Sequence, residues 1–257
     1  MEIFDTHAHL YLNDFDNDLD VLISNFREKN IKVILPDLSA KYRRKLIELR
    51  EKYPDIFFIT FGIHPNYVDK NYKEEIKLLK NAIQNYFTKI IGIGECGIDL
   101  YRNRNFLNEQ IIVLREQIKL AIELNLPLIF HFRNSNSLDI ILNLIEEQKE
   151  YFIKGVFHCF TGSLDEANFL ISKNFFLGIN GIITFNNELK NILKSISISN
   201  ILVETDSPYL SPIPYRGKRN TPLNISIIIE EISKIKNVEP EEVIKVTTLN
   251  TKELFKI

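Results

Sequence analysis

Short apolar runs alternate with stretches of helical period along the whole chain. Runs rich in Ile, Leu, Val and Phe predict strands at 2–7, 31–36, 57–62, 89–95, 127–131, 155–158, 175–180 and 200–205. Helical segments fill the gaps at 15–29, 39–52, 73–87, 105–125, 136–149, 163–173 and 187–196, and two more follow at 221–236 and 239–256. The segment 105–125 has the clearest 3.6-residue pattern, with Ile111, Leu114, Ile118, Ala121 and Ile122 on one face. Thr221-Pro222 and Glu239-Pro240 read as helix starts, with proline at the first helical position. Eight β/α units are the count of a closed TIM-type barrel, read here as one α/β domain over residues 1–257. The alternation by itself fits a doubly wound open sheet as well.

The polar residues that interrupt this pattern favour the barrel. All five histidines sit at the ends of apolar runs: His7 and His9 after Ile3-Phe4, His64 after Phe57–Phe61, His131 after Leu128–Phe130 and His158 after Val156-Phe157. Glu95 ends Ile90–Gly94 in the same way, and Asp206 follows Ile201–Thr205. Imidazoles and carboxylates gathered at strand ends are the ligand set of a metal site. Barrel closure brings the ends of strands one, four, five, six and eight around one mouth, whereas an open sheet spreads them. His7 and His9, two apart on a strand, point to one side. A carboxylate at position 95, in an otherwise buried strand, is costly unless its charge is compensated. The bland alternative is a set of hydrogen-bonded barrel histidines. Six ligands, His7, His9, Glu95, His131, His158 and Asp206, suit two adjacent divalent cations bridged by one carboxylate. Histidine-rich sets favour Zn, Mn or Co on affinity, while Mg prefers oxygen, so Mg, Mn, Zn and Co all stay open.

Composition narrows the partners. The formal net charge is -2, which gives no global attraction to nucleic acid or anionic membrane. A polyanionic substrate would have to be held by local charge or by metal. No run approaches the ~20 apolar residues of a membrane span, and the acidic start lacks a signal-peptide pattern. The expectation is a soluble, cytoplasmic protein. Cys96 and Cys159 each follow a candidate ligand, so each is expected to point away from it as a buried filler, unpaired.

Taken together the motifs resemble the TatD-type metal-dependent deoxyribonucleases of the amidohydrolase superfamily. They are Asp5-Thr6-His7-Ala8-His9-Leu10, Gly62-Ile63-His64-Pro65, Gly92-Ile93-Gly94-Glu95-Cys96-Gly97-Ile98-Asp99, His131-Phe132-Arg133 and His158-Cys159-Phe160-Thr161-Gly162. Glu204-Thr205-Asp206-Ser207-Pro208-Tyr209-Leu210, Arg216-Gly217-Lys218-Arg219-Asn220 and Thr247-Thr248-Leu249-Asn250-Thr251 complete the set, in order over the whole chain. The resemblance implies a TIM barrel and hydrolysis of DNA phosphodiesters, including 3′-to-5′ exonuclease action. It implies that His7, His9 and Asp206 hold one cation with Glu95, which bridges to a second held by His131 and His158. It gives Asp206 a further role as general base, so that Asp206 and Glu95 are the catalytic pair. Phe132, Asn134-Ser135 and Ser207 depart from the family's commoner residues without touching a ligand.

Around this set, His64 has two readings, a phosphate or leaving-group contact and a histidine bonded to a loop. The first is favoured by the family's placement of it in the cleft. Arg133, two beyond His131, either clamps a phosphate or neutralises Glu95 or Asp206. Arg216, Lys218 and Arg219 form a basic cluster in the loop after the last strand, where barrels often bind phosphate; the other reading is a solvated loop. Tyr101 and Tyr209 either stack on bases or pack. The expected partner is DNA, single-stranded or at strand ends, with a monomeric enzyme and no membrane. The nearest rival is an amidase, lactonase or ester hydrolase of the same superfamily. Such an enzyme leaves Arg133 and the basic loop little to do, and many of them use a carbamylated lysine where this chain has Glu95. A non-catalytic metal-binding partner protein would not need a candidate base.

Overall fold

The computed structural model describes every residue except Lys149. The apolar runs form β1 (Ile3–Asp5), β2 (Ile31–Pro36), β3 (Phe57–Phe61), β4 (Ile90–Ile98), β5 (Leu128–Phe132), β6 (Gly155–Phe157), β7 (Phe176–Ile179) and β8 (Ile201–Val203). They pair in chain order, each parallel to the next. The seam between β8 and β1 closes just past the regular strands. There the Thr6 amide donates to the Val203 carbonyl at 3.1 Å, the Asp206 amide to His7 at 2.8 Å and the His9 amide to Ser207 at 2.7 Å. The buried Asp5 carboxylate adds a side-chain staple, accepting from the Thr205 amide at 2.9 Å. Eight parallel strands thus make a nearly closed TIM-type barrel, and the open doubly wound sheet is excluded.

Helices wrap the outside: α1 (Leu19–Glu28), α2 (Ala40–Lys52), α3 (Tyr72–Tyr86), α4 (Leu107–Leu124), α5 (Ser135–Glu146), α6 (Leu164–Ser172), α7 (Asn187–Ser195), α8 (Ile225–Lys236) and α9 (Pro240–Phe255). α4 buries Val113, Leu114, Ile118 and Ala121, while Ile111 and Ile122 are only partly covered. Its buried face also carries two amides. Gln117 accepts from the Ile63 amide at 2.8 Å and Gln110 from the Asp99 amide at 2.9 Å, so one helix pins the loops after β3 and β4. A smaller apolar cluster of Ile34, Ile129, Val156 and Leu202 is joined by Leu254 and Phe255 at the end of α9. His131 stands two residues beyond Ile129 on the same face of β5, and His158 directly follows β6.

Several boundaries differ from the sequence reading. β1 ends at Asp5, so His7 and His9 lie beyond the strand and not on it. Segment 15–29 opens as a 3-10 turn at Asn13–Phe15 before α1. Thr221-Pro222 starts a 3-10 turn, Pro222–Asn224, that runs into α8. α5 stops at Glu146; position 149 of its expected span lies outside the described residues. Among the described residues no helix is long and apolar enough to cross a membrane.

Candidate metal centre

The local backbone of β4 places Glu95. Opposite β5, Gly94 pairs with Ile129 and Cys96 with Phe130, so Glu95 is an extra residue without a partner. Such a bulge re-aims the side chain it carries. Glu95 therefore lies inside a nine-residue strand, not at its end as the pattern suggested. The bulge needs close backbone approach on its far side: Gly97 has φ 154°, and a Cβ there would lie 1.9 Å from the His131 carbonyl oxygen.

All five histidines converge on this one buried carboxylate. Its Oε2 lies 3.2 Å from His7 Nε2 and 3.8 Å from His9 Nε2. Its Oε1 lies 3.2 Å from His64 Nε2, 3.0 Å from His131 Nδ1 and 2.9 Å from His158 Nε2. Asp206 Oδ1 completes the group, 3.4 Å from His9 Nε2 and 3.8 Å from His7 Nε2. Burial alone would raise the pKa of Glu95, but His64, His158 and His7 outweigh it and hold the group well below the usual range. Asp206 is likewise lowered, burial being overcome by His9, His7 and His158. Burial pushes His64 down to about 4, and it also lowers His7, whose ring stacks on His158 at 3.9 Å. His158 and His131 move the other way. For His158 burial is outweighed by Glu95 and then Glu204, and for His131 by Asp99 and then Glu95.

The outer nitrogens fix which face of each ring is available. Tyr11 donates its hydroxyl to the Pro36 carbonyl at 2.7 Å, so at 2.7 Å from His9 Nδ1 it must accept the ring proton. His9 Nε2 is then left with a lone pair aimed at Asp206. His131 Nε2 is 3.3 Å from Asp99 Oδ2, which leaves Nδ1 as the nitrogen that faces Glu95. His64 is reversed: its Nδ1 accepts from the Asn66 amide at 3.0 Å, so its Nε2 carries the proton and donates to Glu95. His158 Nδ1 stands 3.6 Å from Glu204, and the buried His7 Nδ1 has no hydrogen-bond partner among the described residues.

The His9 lone pair directed at the Asp206 carboxylate repels it unless a cation lies between them, and this is the observation that fits the residues to metal. Three compact donor groups are present: His7, His9 and Glu95; His7, His158 and Asp206; His64, Glu95 and His131. All six sequence-predicted ligands fall within them. His64 joins by proximity, but the tautomer set by Asn66 turns an N–H toward the site. Tyr11, Asp99 and Glu204 were not singled out as site residues by the sequence. For Tyr11 and Glu204 the available signal was a period of two, since Tyr11 follows His9 by two and Glu204 precedes Asp206 by two.

The group opens into a cavity of about 930 Å³ whose wall includes His64, Arg102, Arg133, Tyr67 and Tyr209. The Arg133 guanidinium lies over the Tyr101 ring at 4.4 Å and 3.7 Å from Asp99. Arg216, Lys218 and Arg219 are not part of this wall. Arg216 stacks on Phe185 at 3.7 Å, and Lys218 is exposed. Arg219 makes a fork to the Asp18 carboxylate, 2.9 Å from Oδ1, and lies over Phe15 at 4.7 Å. Cys96 is buried with its thiol toward the Ile129 carbonyl, as expected of a filler. Cys159 departs from that expectation. At φ 50° it lines the cavity half-buried, and burial pushes its thiol up to about 12. Both are free.

Comparison with known proteins finds relatives over the whole chain. The chain is 34% identical over 258 residues to the uncharacterized metal-dependent hydrolase YabD of Bacillus subtilis, covering 99% of each. It is 30% identical to the uncharacterized metal-dependent hydrolase YcfH of Escherichia coli K12, covering 100% of this chain and 97% of the relative. Among solved structures, YJJV, a TatD homologue from Escherichia coli K12, shares the fold with a TM-score of 0.91 at 24% identity, over 99% of this chain and 98% of the other. The family model described as TatD related DNase matches residues 4–256, and the chain belongs to that family of metal-dependent hydrolases.

Proposed function

We propose that this hydrolase cleaves DNA phosphodiester bonds, working from the 3′ end of single strands. The observation that carries the reading is one cavity wall combining the Glu95–Asp206 donor group with Arg133, Arg102, Tyr67 and Tyr209. A phosphodiester needs both halves, charge for the phosphate and aromatic faces for the bases. His7, His9, Asp206, His131 and His158 would hold two divalent cations across Glu95. When bound, such cations lower the pKa of the attacking water and neutralise charge on the phosphoryl and leaving oxygens. Asp206, ionised across the physiological range, takes the proton as the water oxygen bonds to phosphorus. The P–O3′ bond breaks, and the departing 3′-oxygen takes a proton from solvent to leave as a hydroxyl. His64 Nε2–H is placed to donate to a phosphate oxygen. Arg133, held against Tyr101, fits a bidentate clamp on the next phosphate. Tyr209 and Tyr67 supply stacking faces, and Arg216 and Lys218 lie on an exposed loop suited to more distant backbone. On this reading residues 1–257 act as one domain and as a monomer, in a cytoplasm where free thiols such as Cys96 and Cys159 persist.

The test is incubation of the protein with end-labelled single-stranded DNA in Mg or Mn, with a chelator control and amide and carboxylic-ester substrates in parallel. Stepwise shortening from the 3′ end, abolished by chelator, is the expected result. Intact DNA alongside metal-dependent cleavage of an amide or ester would overturn the proposal in favour of acyl hydrolysis.

A further inference from the structure

The structure assigns Asp99 a positioning role: its carboxylate fixes the His131 ring so that Nδ1 is the nitrogen presented to a cation, and it shares the oxygen that does so with Arg133. The inference rests on His131 being a cation ligand, and it goes beyond the six-ligand set. Asp99 is fully buried. Its Oδ1 accepts from the amides of Tyr101 and Arg102, each at 2.8 Å. Its own amide is tied to Gln110 Oε1 at 2.9 Å. Oδ2 faces the two cavity-wall residues, 3.3 Å from His131 Nε2 and 3.7 Å from Arg133 Nη1. An ionised carboxylate accepts hydrogen bonds and cannot donate them, so the neutral His131 ring must keep its proton on Nε2. Nδ1, 3.0 Å from Glu95 Oε1 and 3.3 Å from His158 Nε2, is left as the donor to a cation. A carboxylate behind the outer nitrogen fixes the tautomer and raises the basicity of a ligating imidazole. Because Arg133 leans on the same oxygen, the clamp proposed for phosphate and the ligand proposed for metal share one anchor.

Two measurements with zinc as the probe test this. In the ¹⁵N spectrum of the zinc-loaded wild-type protein, His131 should carry its proton on Nε2 and show a metal-shifted Nδ1. The reverse pattern would overturn the assignment, and no variant is needed to see it. In Asp99→Asn the amide oxygen is held by the Tyr101 and Arg102 amides, so the NH₂ group faces His131 Nε2. That favours the proton on Nδ1, and zinc affinity should fall about 10–100-fold. In a His131→Ala background the same substitution should cost no further affinity. An equal loss in both backgrounds, or none in the wild-type background while His131→Ala is impaired, would refute the role of Asp99. Unchanged zinc binding in His131→Ala would instead remove the ligand reading beneath it. DNA cleavage is not a readout, so a failure here is distinct from a failure of the nuclease proposal.

Discussion

Tyr11→Phe removes one oxygen atom and keeps the ring. In the folded protein that hydroxyl is buried, accepts from His9 Nδ1 at 2.7 Å and donates to the Pro36 carbonyl at 2.7 Å. Its loss leaves two polar groups without partners where water has little access. A buried group left unsatisfied costs about 1–3 kcal/mol. Taking about 2 kcal/mol, and a sensitivity of about 2–4 °C per kcal/mol for a chain of this size, the metal-free protein should melt about 4–8 °C lower. Metal adds a second loss. With its outer proton unpartnered, His9 no longer has a fixed tautomer, and removal of such a support costs about 10–100-fold in metal affinity. Each tenfold loss removes a further ~1.4 kcal/mol of ligand stabilisation at saturating metal. The drop in Tm should therefore be larger with metal than with chelator. Scanning fluorimetry under both conditions, with zinc affinity from a competing chromogenic chelator, measures the two parts. Unchanged Tm in chelator together with unchanged zinc affinity would refute the reasoning.

Glu95→Ala should abolish metal retention and hydrolysis while the barrel still folds, because the bulge that carries the side chain is set by backbone register; elemental analysis and circular dichroism check this. Metal binding near neutral pH should release protons, because His131 and His158 are both raised above the usual imidazole value in the metal-free protein and must lose a proton to ligate. Affinity should accordingly weaken as pH falls, and calorimetry in buffers of different ionisation enthalpy should give different heats; identical heats would contradict it. Arg216→Ala with Lys218→Ala should raise KM for DNA and flatten its salt dependence by roughly one log–log unit per lost phosphate contact. Arg219→Ala should lower Tm slightly, since a partly exposed ion pair is worth ~0.2–1 kcal/mol, with kcat retained; an unchanged salt slope in the first variant would make that loop a solvated face.

The barrel was legible because its strands are apolar runs and its helices hold a 3.6-residue period. The candidate ligands were legible because a polar residue closing an apolar run is conspicuous. Less visible were features that depend on pairing. The pattern put Glu95 at a strand end, but a bulge inside β4 aims it, and register is written in two neighbouring strands at once. His7 and His9 point inward from the seam with Ser207, not from a regular strand. Asp99 meets His131 through a hydrogen bond that no spacing rule specifies. Arg219 looked like one member of a basic trio, yet its carboxylate partner Asp18 is 201 positions away.

The proposed chemistry depends on divalent cations held on both sides of Glu95. Crystals of the protein soaked in manganese, with anomalous differences recorded above the Mn edge, test this most directly. Two peaks are predicted on either side of the Glu95 carboxylate, one against His7, His9 and Asp206 and the other against His131 Nδ1 and His158 Nε2. A map with no peak within bonding distance of Glu95 at saturating manganese would contradict the account.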